Sequence, residues 1–115
     1  VKDAPVYIPN CRSKNSGKPM LYGSVEAVST KALALYKQSA GACRALPWRG
    51  WGEDYYLQTC LNKVGAWQVA DLAQVGDDRC KPAPCSDYTK AAFHKDSYRD
   101  PEEWMRCFKE AIGEE

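Results

Sequence analysis

The sequence contains a single histidine, His94, and no apolar run long enough to cross a membrane. A lone histidine excludes any mechanism in which two imidazoles pass a proton between them. Because a membrane helix needs about 20 apolar residues, we expect a soluble protein without a membrane span. The tripeptide Asn-x-Ser/Thr is also absent, so N-glycosylation is not expected. No nucleotide-binding or other cofactor motif occurs, and we predict no cofactor.

Cysteine, by contrast, is abundant, and six residues are spread along the chain: Cys11, Cys43, Cys60, Cys80, Cys85 and Cys107. An even number in so short a chain predicts three disulfides. Each disulfide commonly adds about 2–4 kcal/mol, which a small domain with a thin stability margin needs. Disulfides persist in oxidising compartments, so we predict a secreted, extracellular protein. The first residue, Val1, suits a mature form whose signal peptide has been removed.

Two of the cysteines, Cys80 and Cys85, flank a segment that contains Pro82 and Pro84. Proline favours extended backbone in the residue before it, and an extended run would hold the two Cα atoms about 15 Å apart. A disulfide requires roughly 5.5 Å between Cα atoms. We therefore expect Cys80 and Cys85 to have different partners, and the sequence leaves the other pairings open.

The same two cysteines could instead act as zinc ligands, with Cys60 or His94 completing the site. Structural zinc sites usually contain two tight cysteine pairs, whereas this chain has one loose pair, so disulfides are favoured. Asp77 and Asp78 lack the alternating ligand spacing of a calcium loop, and we expect them in a solvated turn. No metal site is predicted.

Local sequence signals predict a mainly α-helical fold of three or four helices. A helix is expected over 24–40 with Ser24 as its N-cap, and a second over 53–64. Residues 66–75 fit both a continued helix and a strand, and helix is favoured. A short helix is expected over 88–95, and a last one begins near Asp100.

The last helix has the strongest signals. Asp100 is a suitable N-cap, Pro101 suits the first helical position, and two acidic residues follow in the first turn. The apolar residues of this helix recur on one face: Trp104, Cys107, Phe108 and Ile112.

The N-terminal residues 1–19 contain three prolines and are expected to form an extended arm that Cys11 ties down. A short β element around 6–8 and 20–22 is allowed, and α+β is the alternative fold class. At this length we expect one domain over 1–115.

Charge is divided unevenly along the chain. Residues 1–50 contain 8 Lys/Arg and 2 Asp/Glu, whereas residues 51–115 contain 8 Lys/Arg and 13 Asp/Glu. This pattern indicates either a basic face for an anionic partner or two halves that attract each other. The basic residues are not clustered as in a nucleic-acid patch, so the second interpretation is favoured and no nucleic-acid partner is expected.

Aromatic residues and arginine concentrate in a glycine-flanked segment, and from it we predict a binding surface formed by Trp48, Arg49, Trp51 and Tyr55. These residue types dominate binding hot spots because they offer large contact areas and directed hydrogen bonds. The alternative is structural: the two tryptophans cover the core.

Our leading hypothesis is a small secreted cysteine-rich interaction protein, an effector or virulence-type protein that binds a host or competitor protein. No catalytic motif stands out, so it is expected not to be an enzyme, and to be a monomer or weak oligomer. One alternative is a secreted hydrolase or toxin, such as a ribonuclease that uses His94 with a carboxylate and an arginine. Under the leading hypothesis His94 is an ordinary surface histidine. Another alternative is a carrier of a lipid or other apolar ligand.

Overall fold

Three helices and three two-stranded sheets form the computed structural model, which describes residues 3–114. The helices are α1 (Thr30–Arg44), α2 (Glu53–Lys63) and α3 (Pro101–Ala111), with a 3₁₀ turn at Asp96–Arg99. The strands are β1 (Val6–Tyr7), β2 (Cys11–Arg12), β3 (Pro19–Met20), β4 (Trp67–Gln68), β5 (Val75–Asp77) and β6 (Ala92–His94). Val1, Lys2 and Glu115 lie outside the described residues, as do the start of the predicted arm and the predicted signal-peptide cleavage point.

The prediction of a mainly α fold is wrong: the protein is mixed α and β, and the α+β alternative fits it. Strand β1 pairs in parallel with β4, β2 pairs antiparallel with β3, and β5 pairs in parallel with β6. Each strand has only two or three residues. A strand this short leaves no alternating pattern in the sequence, and in two of the three pairs, β1 with β4 and β5 with β6, the partner is remote in the chain.

Helix α1 begins five residues later than expected, with Ser29 as its N-cap instead of Ser24. The Ser29 hydroxyl accepts a hydrogen bond from the Ala32 amide at 3.1 Å and donates one to the Ala4 carbonyl at 2.9 Å. Val28, just before the cap, pairs with Tyr7 in an antiparallel bridge. The arm therefore holds residues 25–28 extended and delays the helix.

Two further predicted helices are absent, at 66–75 and 88–95. Gly65 adopts a φ of +97°, which ends α2 and turns the chain back along the arm. The Trp67 amide then donates to the Pro5 carbonyl at 2.8 Å, and the chain continues as β4. After Asp87, whose carboxylate accepts from the Thr89 amide, the chain makes a turn and extends into β6.

The hydrophobic core joins the arm to the first two helices. Its buried residues are Tyr7, Leu21, Ala32, Leu61 and Ala66. The Tyr7 hydroxyl finds a partner at the edge of this core, since it donates to Asn62 Oδ1 at 2.6 Å. The arm is therefore part of the core and not an appendage to it.

All six cysteines form disulfides: Cys11–Cys80, Cys43–Cys60 and Cys85–Cys107. Cys80 and Cys85 have different partners, in agreement with the distance argument, and both thiols of the alternative zinc site are used. Three disulfides in a chain of this length are typical of small secreted cysteine-rich proteins. None of the helices within residues 3–114 is long and apolar enough to span a bilayer.

Helix α3 begins as predicted, with the Asp100 carboxylate accepting from the Glu102 amide and Pro101 at the first position. Of its residues only Cys107 is buried. Trp104 and Phe108 stack at 5.5 Å between ring centroids yet remain about half exposed. The apolar face predicted from the sequence is therefore present but largely uncovered.

Candidate functional site

Parallel pairing of β5 with β6 brings the lone histidine next to a buried carboxylate. The register places Asp77 opposite His94, and paired residues of neighbouring strands project from the same face. His94 Nδ1 lies 3.6 Å from Asp77 Oδ1. This distance is too long for a hydrogen bond. Contacts between catalytic groups are often long in the absence of substrate and shorten when substrate binds.

Asp77 is fully buried, so the prediction of a solvated turn at this residue is wrong. Its carboxylate accepts hydrogen bonds from the Ser24 hydroxyl at 2.6 Å, the Arg79 amide and Nε at 3.0 Å each, and Arg79 Nη2 at 2.8 Å. Burial by itself raises the pKa of Asp77, but the hydrogen bonds from Arg79 and Ser24 outweigh it and lower the pKa to about 2. At neutral pH the carboxylate is charged.

His94 lies partly at the surface, as the leading hypothesis expects, but one of its ring nitrogens is enclosed. Its Nδ1 atom is buried and has no hydrogen-bond partner among the described residues, while the side chain as a whole is 40% exposed. The exposed part of the ring therefore lies away from Nδ1. A carboxylate beside one ring nitrogen favours a proton on that nitrogen and leaves the other nitrogen to act as a base.

Arg79 supplies a positive charge at the same place. Its guanidinium lies 4.4 Å from the centroid of the Tyr22 ring, and the hydrogen bond to Asp77 raises its pKa. Asp77 uses the Nε and Nη2 donors, and the Nη1 donors have no hydrogen-bond partner within residues 3–114, on a side chain that is 43% exposed. A guanidinium held in this way can bind an anionic group such as a phosphate.

A second cluster of ionisable groups lies a few residues along the chain from Ser24. The Gly23 amide donates to Asp54 Oδ2 at 3.0 Å. Glu26 Oε1 is buried without a hydrogen-bond partner among the described residues. Burial, followed by the neighbouring Glu53 and Asp54 carboxylates, raises the pKa of Glu26 to about 7. A protonated Glu26 could donate to Glu53 and relieve the repulsion.

An open groove of about 510 Å³ lies beside this cluster, between the end of α1 and the start of α2. Its lining residues are Arg44, Trp48, Trp51, Glu53 and Tyr56. We call it the tryptophan groove. It joins an aromatic wall to one cationic and one anionic side chain, which suits a flat ligand with polar edges.

The four residues of the predicted binding surface lie together around this groove. Trp48 and Trp51 line it, the Arg49 guanidinium lies 5.4 Å from the Trp48 ring centroid, and Tyr55 packs edge-on against Trp51 at 4.7 Å. Trp48 is 47% exposed and does not cover the core. The structure therefore groups these side chains but leaves their binding role a prediction.

Sequence reasoning missed four residues of the cluster around His94: Tyr22, Ser24, Asp77 and Arg79. Asp77 and Arg79 lie in a segment predicted as a loop, and Ser24 was assigned to a helix cap. The contact between β5 and β6 that unites them leaves no local signal. A search for an acid and an arginine two residues apart would have found Asp77 and Arg79, the only such pair in the sequence, but neither Tyr22 nor Ser24.

The apolar pocket beneath α3 leaves little room for the ligand of a carrier. This pocket measures about 210 Å³ and is lined by Phe93, Tyr98, Trp104, Cys107, Phe108 and Ala111. Pockets that enclose drug-sized ligands usually measure about 300–1,000 Å³. A lipid chain would remain largely in water here.

Comparisons with protein-family models, curated proteins and solved structures found no match to this chain. The chemistry of the site is therefore inferred from its own geometry.

Proposed function

We propose that this protein is a small secreted hydrolase of the ribonuclease or toxin kind, with His94 as its base. The observation that supports the proposal is the pairing of Asp77 with His94 across β5 and β6, with Arg79 held on the same carboxylate. A base, the group that orients it and a cation for an anionic substrate are the elements that phosphodiester cleavage requires.

In the proposed reaction, the phosphate of single-stranded RNA binds to the free guanidinium donors of Arg79. His94 takes the proton from the ribose 2′-hydroxyl, and that oxygen attacks the phosphorus. The bond from phosphorus to the 5′ oxygen breaks, and this oxygen receives a proton from solvent water. The hydroxide that remains takes the proton from His94, which restores the base. Arg79 stabilises the negative charge that grows on the phosphate oxygens, and Asp77 stabilises the imidazolium.

The test is incubation of the purified protein with a single-stranded RNA and detection of products that end in a 2′,3′-cyclic phosphate. We expect cleavage by the wild type, a loss of at least about 100-fold for His94→Ala, and a similar loss for Arg79→Gln. DNA of the same sequence should remain intact because it lacks the 2′-hydroxyl.

The matched control is Lys95→Ala, an exposed neighbour of His94 whose removal should leave cleavage unchanged. Circular dichroism of each variant separates loss of the reaction from loss of the fold. Equal cleavage by the wild type and His94→Ala would contradict the proposal. The same assay tests the expectation that the chain is not an enzyme.

A second candidate function is protein binding, as expected for an effector that acts on a host or competitor molecule. It is supported by the exposed side chains of Trp48 and Tyr55 and by Arg49 beside them. The double variant Trp48→Ala, Arg49→Ala should lose the partner, with Tyr88→Ala as an exposed control elsewhere. Partner binding that survives the double variant would exclude this surface.

A further inference from the structure

We infer that the tryptophan groove binds a guanine base of the RNA substrate and that Glu53 recognises the base edge. This inference rests on the proposed function, because it assigns a substrate class to a surface next to the cluster around His94. It adds the groove to that site as its specificity-determining part.

The groove and the His94 cluster are joined by three consecutive residues. The Tyr22 ring contacts Arg79, and the Ser24 hydroxyl donates to Asp77. Between them, a Cβ at Gly23 would lie 3.6 Å from Glu53 Oε1, and Glu53 lines the groove. Consecutive Cα atoms are about 3.8 Å apart, so the Cα atoms of Tyr22 and Ser24 lie within about 8 Å of each other, with Glu53 beside the residue between them. One strand of RNA can reach both.

The aromatic walls suit a nucleobase. Every base has a flat π face, and stacking on an aromatic side chain contributes about 1–3 kcal/mol per base. Trp48 and Trp51 supply that surface in the lining of the groove. Arg44 on the lining and Arg49 above Trp48 place positive charge where the adjoining phosphates of a bound strand would run.

Glu53 makes the groove selective. Among the described residues that line the groove it is the only carboxylate. A carboxylate accepts hydrogen bonds but, when charged, donates none. Guanine offers an imino and an amino donor side by side on its Watson–Crick edge, which two carboxylate oxygens can accept together. Uracil offers one donor, flanked by two carbonyl oxygens that would repel the carboxylate.

Binding is measured by fluorescence anisotropy with two labelled 2′-O-methyl RNA tetramers, UUGU and UUUU. The methyl groups prevent cleavage, so binding is measured separately from the reaction. We expect wild-type protein to bind UUGU about 5- to 100-fold more tightly than UUUU. Trp51→Ala should weaken binding of both tetramers about 5- to 100-fold. Glu53→Gln should remove the preference for UUGU.

The control is Trp67→Ala, which truncates an exposed tryptophan on β4, outside the groove. Equal affinity for the two tetramers, or an equal effect of Trp51→Ala and Trp67→Ala, would overturn the inference. If neither tetramer binds, the inference also fails, and protein binding remains for this surface. Retained UUGU binding without RNA cleavage would remove only the proposed reaction, whereas cleavage with unchanged binding by Trp51→Ala would remove only the base site.

Discussion

The two ends of the molecule are stabilised differently. At one end, the arm, α1 and α2 enclose a core in which Tyr7, Leu21 and Leu61 are fully or almost fully buried. At the other, α3 buries Cys107 and leaves Trp104 and Phe108 about half exposed. Disulfides are present at both ends, but the first adds a packed core, whereas at the second the only buried residue of α3 is the cysteine that forms the Cys85–Cys107 disulfide.

This difference shows what a disulfide can replace. Packing restrains many side chains at once, and its contribution to the free energy of unfolding grows with the apolar area that it removes from water. A disulfide restrains the unfolded chain whatever surrounds it. An amphipathic helix can therefore stay in place with an exposed apolar face. The four predictions below test which interactions stabilise each part of the molecule.

The largest effect is expected for Asp77→Leu. The substitution leaves the Arg79 guanidinium without its anion and the Ser24 hydroxyl without its acceptor, at an expected cost of about 3–5 kcal/mol in the free energy of unfolding. Urea denaturation followed by circular dichroism measures this cost. Asp77 has its pKa lowered from 3.8 to about 2, so its contribution is present above about pH 4 and is lost as the pH falls through about 2. A Leu variant as stable as the wild type at pH 7 would contradict the role of this carboxylate.

Next in size is the contrast between Leu61→Ala and Phe108→Ala. Leu61 is fully buried, and its truncation should cost about 2–5 kcal/mol because a cavity remains. Phe108 is 44% exposed, so the loss of a larger side chain should cost less, about 1 kcal/mol. The same urea titration compares both variants. If the two costs are equal, α3 is held by packing after all.

Replacing Cys85 and Cys107 together by serine should cost about 3 kcal/mol, since the disulfide closes a loop with a sequence separation of 22. We expect the loss to be local. Hydrogen exchange should accelerate in the amides of α3 and remain slow in α2. Uniform acceleration across both helices would show that the two ends unfold as one unit.

The smallest effect is expected for Glu26→Gln, below about 1 kcal/mol because solvent screens the partly exposed carboxylates around it. Burial and Glu53 raise the pKa of Glu26 from its ordinary 4.5 to about 7. Stability from this group is present below about pH 4.5 and is lost as the pH rises through about 7. Melting temperatures at pH 5 and pH 8 should therefore differ less in the Gln variant than in the wild type. The same difference in both proteins would assign the pH dependence to another group.

Sequence reasoning succeeded where the signals were local. The cap, the proline and the apolar face of α3 lie within 13 residues of one another, and that helix is confirmed. It failed where a distant partner decided between two local options. Ser24 and Ser29 are both suitable caps, and the contact of Ser29 with the arm selects the second.

The candidate site depends on distant contacts even more strongly. His94 is identifiable from the sequence as the lone histidine. Its partner Asp77 is determined by the register of β5 with β6 and by the close approach of these strands at Gly76. A Cβ at Gly76 would lie 2.8 Å from Ala83 Cβ and 2.9 Å from Phe93 Cδ1, so a larger residue would push β6 away. The need for glycine at position 76 can be recognised only once the positions of the strands are known.

The order of the disulfides along the chain also governs what a protease can do. The Cys11–Cys80 ring contains the Cys43–Cys60 ring, whereas the Cys85–Cys107 ring lies wholly outside both. A cut within any ring leaves the pieces covalently joined, but one cut between Cys80 and Cys85 divides the chain into two unlinked parts and separates Asp77 from His94. The only basic residue in that stretch, Lys81, precedes Pro82, a bond that trypsin-like proteases do not cleave. Pro82 thus protects, against trypsin-like proteases, the one stretch in which a single cut would divide the candidate site between two unlinked parts.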